Sequence, residues 1–594
     1  MKIIGILNAI LLVLGCSSKK VESKQGAGQA TLQNSEPALV EDDEAGNESE
    51  NEIENENDII QIISQSNIGA TEAQMDAISQ RLAENLKKST IEVLSIEEFT
   101  AIVRAVVDSV LIELSEEKRI ETTQILVDSL WEQLGGGESQ EDPEATVVEE
   151  ETEADPVSTV PAISSEQMVY LNYVEEFLEN QKVAYLLDNR IKTINTYDVS
   201  NSGQKIFDKV SDVYDNALAS IFYTVIGKPV KAGEILNSWL RLYHNNDYKP
   251  LIARFHSETL NGAVEPDYFD TGNNAWMGIA FCRYFIQFAD DTNKEGMSIY
   301  YNAANEIMQE LHSHQCLQGS YRGYMGRPTS PGDQAAMWQS TEHNIDMYAL
   351  GACLVEAGKI NGTDNAFAAQ VRDIAGLFVS QMFDEARGIY RIGTNDACDD
   401  STTINSGATP SDAQSWRLLA KAEMNESQDR SRRSQDALGV APFFERDSDF
   451  SNLIGQDIFG VRFTDFGIGI QMENSGAALL SLNEFYGSQT AQLVTDLRNS
   501  LKYLFDFYKG GGIPASSQVD PNPQARGGFN TGLSWSYFNW PHVASTVWSG
   551  LALAYQFEEN GGIILGMNPF YPGRSDVPLQ EDVPTPPSLA EISN

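Results

Sequence analysis

Ser340-Thr341-Glu342-His343-Asn344-Ile345-Asp346 is a polar cluster that passes without a break into an apolar run rich in alanine and aromatics. Five further stretches make the same transition. They are Tyr214-Asp215-Asn216-Ala217-Leu218-Ala219, Gly272-Asn273-Asn274-Ala275-Trp276, Ser411-Asp412-Ala413-Gln414-Ser415-Trp416, Gln471-Met472-Glu473-Asn474-Ser475-Gly476 and Trp540-Pro541-His542-Val543-Ala544-Ser545. With Asp215, Asn274, Asn344, Asp412, Glu473 and His542 as markers, the separations are 59, 70, 68, 61 and 69 residues. Self-similarity at a near-constant period is the signature of a repeat architecture. Between markers lies a second, more polar helical stretch, such as 368–383 or 491–508, so each unit reads as a helical hairpin. Six hairpins can close into a double ring, an all-α, (α/α)6 toroid. Small residues suit its crowded inner helices, and polar ones its outer helices. Every second helix points the same way, so the polar starts of the inner helices converge on one mouth, where a site belongs.

Outward from this body the text changes. Lys2 precedes an apolar run from Ile3 to Leu14 that is too short to span a bilayer and ends in Val13-Leu14-Gly15-Cys16, similar to a bacterial lipobox. Residues 1–16 thus read as a lipoprotein signal with Cys16 as the lipidation site, and lipid there is the expected membrane contact. Ser17 follows the cysteine where some bacteria use aspartate for inner-membrane retention, which favours the outer membrane. Residues 17–59 form an acidic tether, with twelve carboxylates between Val21 and Asp58. Residues 60–135 have mixed helical spacing and read as an accessory helical segment. A second acidic linker fills 136–164, with nine carboxylates and no basic residue from Glu138 to Asp155. The toroid occupies 165–572, and 573–594 reads as a flexible tail. Much of the formal charge of −46 sits in the tethers, and it argues against nucleic acid and acidic lipid as partners. A monomer is expected.

Three stretches carry a family resemblance. Asp270-Thr271-Gly272-Asn273-Asn274-Ala275-Trp276, Ser340 to Asp346, and Ser536-Tyr537-Phe538-Asn539-Trp540-Pro541-His542 resemble signatures of the six-hairpin glycosidase superfamily, and Gly566-Met567-Asn568-Pro569-Phe570 fits its closing segment. The resemblance spans about 165–570 and implies carbohydrate as substrate, with hydrolase, polysaccharide lyase and sugar epimerase all open.

Glycoside hydrolysis needs one acid to protonate the leaving oxygen and a second carboxylate to activate water or attack the sugar. Glu342 and Glu473, both at expected inner-helix starts, are the candidate pair, and Asp412 is a further candidate base. Asp215, Asp270 and Asp346 are candidate sugar contacts. Helix capping is the competing role for each of these acids. His343 and His542, two of only six histidines, can orient an acid or move a proton at a sugar carbon. Trp535 and Tyr537, in a Gly- and Asn-rich loop, suit sugar faces, whereas Trp276 and Trp416 fall inside helix patterns and read as core. Asp396 to Asp400 reads as an exposed acidic loop, since the spacing lacks an EF-hand's ligands and glycine. Zinc spacings, a phosphate loop, a dinucleotide fingerprint and a serine-hydrolase elbow are absent, so no cofactor is expected. A non-catalytic glycan- or protein-binding lipoprotein is the alternative from another class. Cys282 and Cys353 lie in apolar runs and read as packed thiols, whereas Cys316 and Cys398 are the pair expected to bridge.

Overall fold

In a computed structural model of the chain, the described residues are Val103 and 163–593, except for 201–208, 246–249, 258–269, 328–335, 423–437, 485–489, 520–528, 534, 556–563 and 576. The chain divides into two compact units, 1–155 and 156–594, and nearly all of the described residues belong to the second. The signal sequence, Cys16 and the two acidic runs lie outside the described residues, as does the accessory segment apart from Val103.

Among the described residues eleven helices build the body. In chain order they are α1 (Ser165–Gln181), α2 (Val213–Val225), α3 (Pro229–Asn245), α4 (Thr271–Phe288), α5 (Lys294–His312), α6 (Thr341–Asn361), α7 (Ala366–Gln381), α8 (Asp412–Ala420), α10 (Met472–Glu484), α11 (Ala491–Tyr508) and α12 (Val543–Ala554), with the short α9 (Ser448–Ile454) between α8 and α10. The six helices α2, α4, α6, α8, α10 and α12 each pack on the next, and α12 packs back on α2, so an inner ring closes. Around it lie α1, α3, α5, α7 and α11. The expected toroid is the observed architecture.

Composition sorts the layers. Every residue of α12 and all but one of α2 are buried, as a helix apolar on all sides demands. Small residues let the inner helices approach, and a Cβ added to Gly476 of α10 would lie 2.7 Å from the backbone of Trp548 in α12. Outer helices such as α5 bury one stripe only: Met297, Tyr300, Tyr301, Ala303, Ala304, Ile307, Met308 and Leu311.

One polar side chain per unit sets where each inner helix begins. Asn216 exchanges hydrogen bonds with the backbone N–H and carbonyl of Ile194 and donates to the Asp212 carbonyl four residues back. Asn274 accepts from Ile252 and donates to Asp270, and Asn344 pairs with both backbone groups of Tyr324 and donates to Ser340. Gln414 does the same with Tyr390 and Pro410. In the last two units a hydroxyl suffices: Ser475 joins Val461 to Gln471, and Thr546 joins Ile513 to His542. Each clamp fastens the strand-like segment entering the unit to the first turn of its inner helix, where carbonyls and N–H groups otherwise lack partners.

Some of those entering segments form antiparallel pairs near the mouth: β1 (Lys182–Ala184) with β2 (Lys192–Ile194), β3 (Val210–Asp212) with β4 (Arg254–His256), β5 (Phe383–Asp384) with β6 (Ile389–Tyr390), and β7 (Phe444–Arg446) with β8 (Phe459–Val461). The far end is plugged. Buried Arg283 of α4 donates to the carbonyls of Gly566, Asn568 and Pro569, and Phe570 rests 4.6 Å from Trp276, ring centre to ring centre.

Two expectations need correction here. The stretch expected as a flexible tail, described over 573–593 apart from 576, is not loose but a strap on the outer layer. Arg574 donates to the carbonyls of Ile286 and Ala289, the Gln580 N–H to Gly227, and Ile592 on the final short helix α13 (Leu589–Ser593) is 3% exposed. Prolines gave the stretch the look of a linker, yet Pro584 and Pro586 face Gly233 and Gly296 of α3 and α5. Cys282 and Cys353 are not separate packed thiols either. They sit on adjacent inner helices with Cα atoms 6.2 Å apart and form a disulfide, and Cys316–Cys398 forms the second, as expected. The bridges span 71 and 82 residues, so chain entropy gives each about 4 kcal/mol. Reduction is therefore expected to lower the thermal midpoint, read by calorimetry with and without a thiol reductant, and an unchanged midpoint after verified reduction contradicts this.

Candidate functional site

The clamps give the six units a common register, and this register builds the site. Two residues before the clamp, on the first turn of each inner helix, stand Tyr214, Gly272, Glu342, Asp412, Glu473 and Ala544. Three of the six are carboxylates, and they belong to the consecutive helices α6, α8 and α10. All three line one funnel of about 780 Å³ at the mouth. One turn deeper the register holds Leu218, Trp276, Asp346, Trp416, Ala477 and Trp548. The three tryptophans pack together with ring centres 5.4 to 5.9 Å apart and form the floor.

Of the residues expected in the site, Asp215, Asp270, Glu342, His343, Asp412, Glu473, Trp535, Tyr537 and His542 line this funnel. Asp346 does not. It lies in the tryptophan layer, 0% exposed, behind Gly272, where an added Cβ would come 2.6 Å from its Oδ2 and 2.5 Å from the His343 ring. The i, i+4 spacing from Glu342 puts it on the same helix face but one turn below the funnel, so direct sugar contact is corrected to a position beneath it. Trp276 is core, as expected, whereas Trp416, 3% exposed, still reaches the funnel.

The acids differ in their partners. Tyr214 donates its hydroxyl proton to Glu473 Oε1, the Trp548 indole N–H donates to that hydroxyl at 2.9 Å, and Gln471 Nε2 reaches Glu473 Oε2 at 3.3 Å. Burial pushes Glu473 up to about 7, against the pull of these two donors. Asp412 is also raised to about 7, first by burial and then by Glu473, while the Ala413 N–H holds it down. Glu342 goes well above the usual carboxylate range through burial and repulsion from Asp412, Asp346, Glu473 and Asp270, with no donor opposing them among the largest influences. Asp215 is raised by burial and by Asp212, and it accepts from the Ala544 N–H at 3.1 Å.

Both histidines are held neutral by burial, His542 down to about 3. His542 Nδ1 caps α12 by accepting from the Ser545 N–H, and its Nε2 lies 3.5 Å from Asp215. The ring is thus committed to structure on both sides. His343 packs against Trp338 at 5.3 Å.

Aromatics wall the funnel. Trp535, 40% exposed, meets Tyr537 at 4.7 Å and Phe463 at 5.1 Å, and Tyr197 lies over His542 at 4.5 Å. Two ion pairs complete it: Arg254 with Asp212 at 2.8 Å, directly opposite across the β3–β4 pair, and Arg327 with Asp270 at 3.2 Å. Sequence reasoning missed Tyr214, Tyr197, Asp212 and the arginines. Tyr214 was within reach, because it occupies the same register as Glu342 once units are aligned on Asn216 and Asn344.

Asp346 gives a sharp test. Among the described residues neither of its oxygens has a hydrogen bond of ordinary geometry, although the Trp276 indole N–H faces it, and burial with Asp412 raises it well above the usual range. A raised folded-state value means stability present below about pH 4 is lost as pH climbs through it. Asp346→Asn is expected to raise the thermal midpoint relative to wild type, by more at about pH 8 than at about pH 5. A pH-independent difference contradicts this.

Asp396 accepts from the backbone N–H groups of Met337 and Trp338, which ties its loop to the rim, and among the described residues no cluster of three or more His, Cys, Asp or Glu side chains is arranged to hold a metal ion. No described helix is long and apolar enough to cross a membrane.

No family model and no curated protein matches the chain. Solved structures do align with it. A glycosidase variant in complex with glucose aligns at 12% identity and TM-score 0.43, and a D-mannose isomerase at 9% and 0.43, each over 66% of this chain and 98% of its own. An alpha-1,6-mannanase from Salegentibacter sp. aligns at 13% and 0.40 over the same shares.

Proposed function

We propose that the chain is a carbohydrate-active enzyme, a glycoside hydrolase working through funnel carboxylates. The observation that carries this reading is the shared register of Glu342, Asp412 and Glu473, which gathers three carboxylates with raised proton affinity in an aromatic-walled funnel. Environments that push neighbouring acids apart assign their roles. Glu342 lacks opposing donors and holds its proton, so it is the general acid toward the leaving oxygen. Glu473 accepts from Tyr214 and Gln471, which favours its ionised form and fixes its direction, so it is the base or nucleophile. Asp412 stands between them on the ring and keeps Glu342 protonated by repulsion. Activity then rises with pH through about 7 as Glu473 ionises and falls at higher pH as Glu342 does. The neutral histidines, one of them spent on a helix cap, support proton abstraction at a sugar carbon less well.

The test is a digest of a neutral glycan panel by wild type, Glu342→Gln and Glu473→Gln, with products weighed by mass spectrometry. Products that either variant abolishes support the reading. Binding without any product favours the non-catalytic alternative. We further propose that Cys16 is lipidated and holds the chain at the outer membrane. Two disulfides suit such an extracytoplasmic setting. Cys16→Ser should release the protein from the membrane fraction, and recovery of wild type in the inner membrane alone overturns the outer-membrane assignment.

A further inference from the structure

We propose that the funnel accepts uncharged glycans and turns away those built from uronic acids, an inference that rests on the glycan reading above. Among the described residues the lining carries six carboxylates, Asp212, Asp215, Asp270, Glu342, Asp412 and Glu473, against two cations, Arg254 and Arg327. Neither guanidinium stands as an uncommitted anion receptor. Arg254 is paired with Asp212 and Arg327 with Asp270, and in each pair both side chains are 23 to 32% exposed, so the neutralised pairs face the same space a sugar would enter. Among the described lining residues the remaining candidates for positive charge, His343 and His542, are 7% and 5% exposed and uncharged. A sugar carboxylate entering here loses its hydration, gains no unpaired cation among the described residues and meets Asp412 and Glu473, whose ionised forms repel it at low dielectric, beside the protonated Glu342. Hydroxyls meet no such penalty, because carboxylates accept from them.

The same balance bears on the reaction. In uronate elimination a base removes the proton beside the carboxyl, the bond from the neighbouring carbon to the leaving oxygen breaks, a carbon–carbon double bond forms and the leaving oxygen gains a proton. That path needs positive charge on the uronate carboxyl while the carbanion character develops. Among the described residues the funnel has its cations already matched to aspartates, which fits hydrolysis of neutral sugars better than elimination.

The experiment measures binding to the full-length protein by calorimetry, with gluco-, manno- and galacto-configured tetrasaccharides each set against its uronic-acid counterpart. The expected result is binding of at least one neutral sugar, with its uronate partner weaker by tenfold or more. Asp212→Asn, which releases Arg254 from its pair, should narrow that gap severalfold through tighter uronate binding. Uronates binding as tightly as neutral partners overturn this inference and leave the glycan reading standing. Absence of binding by either set overturns both.

Discussion

Glu342→Gln and Glu473→Gln are each expected to lower kcat/KM on a responsive neutral glycan by about 10² to 10⁴, the range for loss of a positioned acid or base. The two losses should differ in kind. Glu342→Gln removes the proton donor, so a substrate with a good aryl leaving group should recover much of the rate. Glu473→Gln removes the group that activates water or attacks the sugar, and a better leaving group should restore little. Tyr214→Phe is the milder companion. It deletes the hydroxyl that holds Glu473 and favours its charge, so the acidic limb of the pH profile should move upward from about 7. Variants indistinguishable from wild type on the same glycan exclude these residues from the chemistry.

Asn344→Ala is expected to cost about 3 kcal/mol or more of stability, from three hydrogen bonds lost at a site with no exposure and from buried backbone groups left unpaired. The clamp sets the start of α6, two residues after Glu342, so activity should fall with stability even where the variant folds. Asn344→Asp tests the mechanism: it can still accept from Tyr324 N–H but donates to neither Tyr324 nor Ser340, and it buries another acid beside Glu342. Denaturant unfolding of both variants reads the outcome. A loss below about 1 kcal/mol for the alanine contradicts the clamp, because even one unsatisfied buried group exceeds that.

The toroid was legible because polar helix starts recur before apolar helices at a steady period, and that contrast survives in composition alone. The register was not. The markers Asp215, Asn274, Asn344, Asp412, Glu473 and His542 drift by up to four residues relative to the true repeat, since the clamp is Asn in three units, Gln in one and a hydroxyl in two. Hydrogen-bonding geometry keeps these equivalent where residue identity does not. Aligned on the clamp, Glu342, Asp412 and Glu473 become one position, Asp346 drops to the floor beside the tryptophans, and Tyr214 emerges as the partner of Glu473. The Arg254–Asp212 pair at the mouth depends on β-pairing between residues 42 apart, and the Arg327–Asp270 pair joins residues 57 apart, so neither left a local trace. The strap, described over 573–593 apart from 576, was hidden for a related reason: its contacts reach back 288 residues to α4 and 350 to α3, and proline-rich sequence looks alike whether packed or free.

One mass balance tests the central claim most directly. Wild-type protein is incubated with a neutral oligosaccharide that it binds, and the products are weighed. Hydrolysis at the carboxylate cluster predicts fragments whose masses sum to the substrate plus one water, absent with Glu473→Gln. Fragments that sum to the substrate alone, a single product of unchanged mass, or full activity in Glu473→Gln would contradict it.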